Sequence, residues 1–143
     1  MFENYNQVKQ HCLNLAVTGL RNQGWEKCQT LDHPTEGGDV ELRCSWSNEK
    51  PGVHCAVGHL LDHNKVKARP SPVVIGSQSV SRAGDLELFF PEIQEVFDMH
   101  LGAFLLQMQV LHDQAASPSE MERGFKLLAT STELTWPEEV ING

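Results

Sequence analysis

The feature that most constrains this chain is an apolar stripe in its second half. Ile93, Phe97, Leu101, Phe104, Leu105, Met108 and Leu111 recur at steps of three and four, the spacing that places side chains on one face of an α-helix. A helix with so broad an apolar face must bury it against other elements to be stable. Pro91 suits a first helical turn, so one long helix is expected from there to about Gln114.

Two further stripes supply partners for it. Val8, Cys12, Leu15, Ala16 and Leu20 predict an amphipathic helix over residues 3–23, with Gly24 at its left-handed C-terminal cap. Ser117-Pro118-Ser119-Glu120 reads as a capping box with proline at the first helical position. Met121, Phe125 and Leu128 then form the buried face of a last helix, and Trp136 is expected to tuck against the body. Residues 86–90 read as a short helical turn, with Phe89 and Phe90 in the core rather than in an exposed dimer patch.

Between these helices the pattern changes. Residues 25–39 are polar and turn-rich, with "DHPTEGGD" as a loop. Val40 to Trp46 alternates apolar and polar, a strand signature. Residues 48–52 carry turn chemistry, and 53–55 are expected to return as the second strand of a β-hairpin. A helix over about 55–62 follows, then a loop through 66–84 containing Pro70, Pro72, Gly76 and Gly84. The predicted fold is mostly α (α+β): about four helices and one small β-hairpin, in a single domain over 1–143.

Charge narrows the partners. Eleven Lys and Arg face 19 Asp and Glu, a formal net charge of −8, whereas direct nucleic-acid binding draws on a basic surface. The one basic cluster, Lys65-Val66-Lys67-Ala68-Arg69, is short. No apolar run approaches the roughly 18 residues of a membrane span, and residues 1–6 lack the basic and apolar regions of a secretory signal. A cytoplasmic protein without membrane contact is the expectation, and its four cysteines are expected to be reduced or metal-bound.

The stretch "RCSWSNEKPGVHCAVGHLLDHNK", residues 43–65, concentrates the chemistry-bearing side chains. On a helix, Cys55, His59 and His63 fall at i, i+4 and i+8, drifting only about 40° per step. With Cys44 folded back by the hairpin they would form a Cys2His2 set suited to zinc. The ten residues between Cys44 and Cys55 do not match a zinc knuckle, however, and Val57, Leu60 and Leu61 gather on the opposite face. A second reading makes Cys55 a nucleophile near a helix N-terminus. Its base would be His112, which falls on the apolar stripe beside Leu101, Leu105 and Met108 and is expected to be buried. Asp113 diverges from His112 by about 100° and is not expected to orient it. The third reading is architectural. Cys44 and Cys55 serve as small hydrophobes or a bridge, packed with Trp46 and Val53, and Gly58 permits a close backbone approach. It is preferred, so neither a catalytic residue nor a metal is expected.

Cys44-Ser45-Trp46 followed by Gly52-Val53-His54-Cys55-Ala56-Val57-Gly58-His59-Leu60 resembles a C-x-W/Y…G-x-x-C-A-x-G-x-L pattern of small uncharacterised proteins of phages and prophage-bearing bacteria. Ser77-Gln78-Ser79-Val80-Ser81 and Met108-Gln109-Val110-Leu111-His112-Asp113 resemble their later loop and helix end, with Met108 replacing a leucine. The likeness covers about half the chain and implies no particular activity. It also implies that position 59 is not tied to a ligand, because non-ligating residues occupy it there. "TLDHPTEGGDVEL" and residues 64–76 depart from the pattern.

The functional expectation is a small acidic phage-type accessory protein that acts by binding. Its partner would be a host protein, a defence or nucleic-acid-handling component that it inhibits or modulates. Candidate contacts are Glu92, Glu95 and Asp98, with Glu120 and Glu122 on the last helix. One alternative is a thiol-dependent enzyme using Cys55. Another is a protein sequestering a small ligand between the hairpin, the 66–84 loop and the long helix, near Trp46, His112 and Arg82. Oligomeric state is left open.

Overall fold

The computed structural model describes residues 4–28, 30–34, 40–45, 53–69, 74–76 and 86–138. Helices dominate the described chain, as the apolar stripes require. Helix α1 spans Tyr5–Asn22, opened by the Asn4 side chain, which accepts from the Gln7 amide at 3.0 Å. It buries Val8, Cys12, Leu13, Ala16, Val17 and Leu20. Gly24 adopts φ +70° as the stop signal predicts, and the amides of Gly24 and Trp25 bond the carbonyls of Arg21 and Leu20. That pair of bonds is a Schellman cap, and it delivers Trp25 into the core.

Strand β1 (Thr30–Pro34) runs antiparallel to β2 (Val40–Ser45), which pairs on its other edge with β3 (Val74–Gly76). Two expectations are corrected here. Residues 32–34, read as loop, lie in β1, and the predicted hairpin of 40–46 with 53–55 does not form. The reason lies at His54. Its amide donates to Gln23 Oε1 at 3.1 Å and its carbonyl accepts from Gln23 Nε2 at 2.8 Å, so His54 has no backbone group left for a ladder. Trp46, residues 48–52, the Pro70 and Pro72 positions and 77–85 lie outside the described residues.

The helix expected over 55–62 is also corrected. A 3₁₀ turn occupies Val57–Leu60, and a separate helix α2 covers His63–Lys67. Between them the backbone is extended. The Asp62 amide donates to Leu88 O at 2.8 Å and the Phe90 amide to Leu60 O at 3.3 Å, flanking a bridge between Leu61 and Phe89. Pairing with a distant segment therefore overrides local helix propensity. Asp62 then caps α2 by accepting from the Asn64 amide.

Residues Leu86–Leu88 form the expected helical turn, with Phe89 buried. The single helix expected from 91 to 114 is two: α3 (Pro91–Gln94) and α4 (Met99–Gln114). Asp98 makes the division, because its carboxylate accepts from the Leu101 amide at 3.0 Å and starts a new helix. Helix α5 spans Pro118–Ser131 and begins as predicted, with Ser117 Oγ accepting from the Glu120 amide. It buries Met121, Phe125, Leu128 and Ala129. Trp136 stacks on Trp25 with ring centroids 6.1 Å apart, tucking the end of the described chain against the body. Among the described residues, no helix is long and apolar enough to cross a membrane.

Candidate functional site

The Cys/His segment is assembled by the Gln23 side chain and by a gap in α1. Gly19 leaves that gap. A Cβ there would lie 2.2 Å from His59 Nδ1, so the imidazole occupies the space where any other residue would carry a side chain. His59 Nε2 lies 2.8 Å from Gln23 Oε1. Because that oxygen can only accept, the proton sits on Nε2. His54 meets both neighbours edge-on, with centroids 5.4 Å from His59 and 5.7 Å from His63. Burial, reinforced by the neighbouring imidazoles of His54, His112 and His63, pushes the His59 pKa down to about 3.

His59 thus sits against α1, in the notch left by Gly19 and within reach of Gln23. His63 is exposed on a separate helix, and Cys55 is fully buried. The i, i+4, i+8 alignment of Cys55, His59 and His63 is absent because the continuous helix it needs is broken at Leu61. Cys44 belongs to β2. Among the described residues, no group of three or more His, Cys, Asp or Glu side chains is placed to hold a metal ion.

Cys55 has no exposed surface, and its pKa is pushed up to about 12. Burial is the main cause. The Asp113 charge adds to it, and hydrogen bonds from Gly58 and Gln109 only partly oppose it. Such a thiol stays protonated at neutral pH, which removes the nucleophilic form. Cys12 is likewise buried and pushed to about 12, by burial and then by the Glu92 charge. Cys12 and Cys55 are free, so the Cys44–Cys55 bridge is not made. Cys28 is disulfide-bonded, which corrects the expectation of reduced or metal-bound thiols.

His112 is buried as its place on the stripe predicts. Its Nδ1 lies 2.8 Å from Asp113 Oδ1, and its Nε2 accepts from the Cys28 amide at 3.1 Å. The expectation that Asp113 could not orient it is wrong. The 100° divergence applies at the Cα atoms, and two bent side chains close the gap at the end of α4. The two contacts assign Nδ1 as the donor and Nε2 as the acceptor. Gln109 completes the network, donating to Asp113 Oδ1 at 3.3 Å and accepting from the Val57 amide at 3.2 Å. Both ring nitrogens of His112 are therefore engaged, and neither is directed at Cys55. No buried side-chain nitrogen or oxygen among the described residues lacks a partner. An Asp–His pair held this way ties α4 to residues 28 and 57.

The acidic candidates are spread over several elements. Glu92 lies 3.3 Å from His11 on α1, and Glu95 is exposed just past α3. The Asp98 carboxylate caps α4. Glu120 accepts from the Ala116 amide, and Glu122 pairs with Lys126 along α5 at 3.4 Å. Glu95 is thus the candidate whose carboxylate has no assigned structural task among these contacts.

Sequence reasoning missed an open apolar groove of about 710 Å³ between α4 and α5. Leu106, Val110, Leu111 and Leu127 line it, with Gln107 and Thr130 at its edge. Leu127 is 64% exposed, and among the described residues no charged one lines the groove. The signal was present in the sequence: Leu106 and Val110 stand four apart, off the buried stripe, and Leu127 precedes the buried Leu128. No family model matches this chain, and neither a curated protein nor a solved structure is significantly similar to it.

Proposed function

We propose that this chain is a small acidic phage-type accessory protein that acts by binding. It seats an amphipathic, positively charged segment of a host protein in the α4–α5 groove and thereby inhibits or modulates that protein. The observation that carries the reading is the groove itself, apolar and open, with Leu127 standing 64% exposed at its lip. Contiguous apolar surface of this kind marks interaction sites on soluble proteins. The chain's net charge of −8 gives a basic partner a favourable long-range approach. The resemblance of residues 44–46 and 52–60 to a pattern of small phage proteins motivates the phage context of this proposal. A defence or nucleic-acid-handling component fits a basic partner of this kind.

The reading is tested by affinity capture from bacterial lysate with the wild-type chain and with Leu127→Lys in parallel. The expected result is a basic protein retained by the wild type, lost with the variant, and released as salt rises toward about 0.5 M. Capture of the same proteins by both forms, or of no specific protein, contradicts it. Sedimentation of the purified chain covers the other occupant, since a dimer abolished by Leu127→Lys would assign the groove to a second copy.

A further inference from the structure

We propose that His59 is an acid-released latch: neutral, it pins residues 53–63 onto α1, and protonated, it leaves the Gly19 notch and lets that segment open. The geometry has three parts. First, α1 is cut away for the ring, since even a methyl group at position 19 would lie 2.2 Å from Nδ1. Second, Gln23 grips the segment at three points, taking the His59 ring proton at 2.8 Å and both backbone groups of His54 at 3.1 and 2.8 Å. Third, the segment is also held by its buried side chains and by the Gln109 bond to the Val57 amide, but its backbone forms a 3₁₀ turn and a one-residue bridge rather than a continuous helix or ladder.

Among the described residues, a second proton on this ring finds no compensating charge. The ionisable groups around it are imidazoles: His54 from its own segment, His63 from α2 and His112 from α4. Asp113, the acid on α4, is already bonded to His112 and Gln109. Asp62 caps α2, Lys65 bonds Phe89 O, and Arg21 on α1 bonds Pro137 O. Gln23 offers the ring one neutral acceptor. Because the closed form holds His59 near 3 while an open histidine titrates near its ordinary value of about 6.5, the open form binds the extra proton between those values. Opening therefore increases as pH falls below about 6.5, by up to about tenfold per unit, and is flat above it.

Hydrogen exchange of the full chain, normalised for intrinsic amide rates from about pH 7.5 to about pH 5, tests this. The expected result is a progressive loss of protection at 53–63 as pH falls, while the core of α4 around 101–108 keeps its protection. His59→Gln retains a donor for Gln23 and cannot be protonated, so its exchange at 53–63 should not change with pH. A pH dependence that survives in His59→Gln, or acid loosening that is equal across the molecule, overturns the latch. Should that variant not fold, an NMR titration of the wild-type imidazole decides. The expected result is a closed-state ring that stays neutral below about pH 5. A ring titrating near about 6.5 with residues 53–63 still protected overturns the proposal.

Discussion

Two regions of this molecule invert the usual distribution of polarity. Beneath residues 53–59 the interior is polar and complete, with His112, Asp113 and Gln109 buried and all of their contacts made inside the protein. Across the outer faces of α4 and α5 the surface is apolar and open. The contrast shows where each kind of residue is used. His54, His59 and His112, which invite a catalytic or metal reading, are consumed in contacts that join α1, α4 and residues 53–59 to the rest of the protein. Aliphatic side chains that the core does not need line the open groove between α4 and α5. A side chain's reactivity is thus set by what already occupies its lone pairs and by how much water reaches it.

The buried network gives the sharpest way to break this comparison. His112→Ala removes a fully enclosed ring and leaves the Cys28 amide and the Asp113 carboxylate without it. Each buried group left unsatisfied costs roughly 1–3 kcal/mol, so denaturant unfolding should show a loss of about 3 kcal/mol or more. A loss under about 1 kcal/mol would mean that the network is not structural.

Gly19→Ala ranks next. Alanine favours a helix over glycine by about 1 kcal/mol, but here its methyl would overlap the His59 ring. Overpacking typically costs about 1–3 kcal/mol, and because the ring cannot retreat without losing Gln23, a net destabilisation is expected. Thermal unfolding of the variant checks it, and a rise in Tm would show that the notch is slack.

A smaller effect, of opposite sign, is expected at the end of α5. Glu133 holds φ +59° in a second Schellman cap, where the amides of Glu133 and Leu134 bond Thr130 O and Ala129 O. A left-handed residue other than glycine costs about 1–2 kcal/mol, partly offset by glycine's larger unfolded-state entropy. Glu133→Gly should therefore stabilise the chain by about 0.5–1 kcal/mol in the same denaturation experiment. Leu127→Lys, on the open face, should change stability by less than about 0.5 kcal/mol, which makes it a clean probe of binding. A large loss there would place Leu127 in the core.

What the sequence disclosed follows from the range of the interactions involved. The stripe of α1, its glycine stop and the capping box of α5 are local, and each appears where its residues imply. The burial of His112 was legible from the same periodicity. The partner of β2 was not, because the His54 backbone that the expected hairpin would have used is held by Gln23, a contact across 31 positions. Nor was the break at Leu61, which a bridge to Phe89 imposes, or the turn of Asp113 toward His112, which a helical wheel drawn at Cα level cannot represent. The groove was overlooked for a different reason. A search for chemistry favours Cys, His and acids, whereas Leu106, Val110 and Leu127 look like ordinary core residues until the core is assembled without them.

Cys55 offers the most direct test that the thiols and imidazoles are internal scaffolding. The rate of its alkylation in the folded chain, followed by peptide mass spectrometry near about pH 7.5 and across a denaturant series, reports both access and ionisation. The account predicts slow modification that accelerates only as residues 53–63 open or the chain unfolds. Rapid, selective labelling of Cys55 in the native protein, with a thiolate already present near neutral pH, would contradict it.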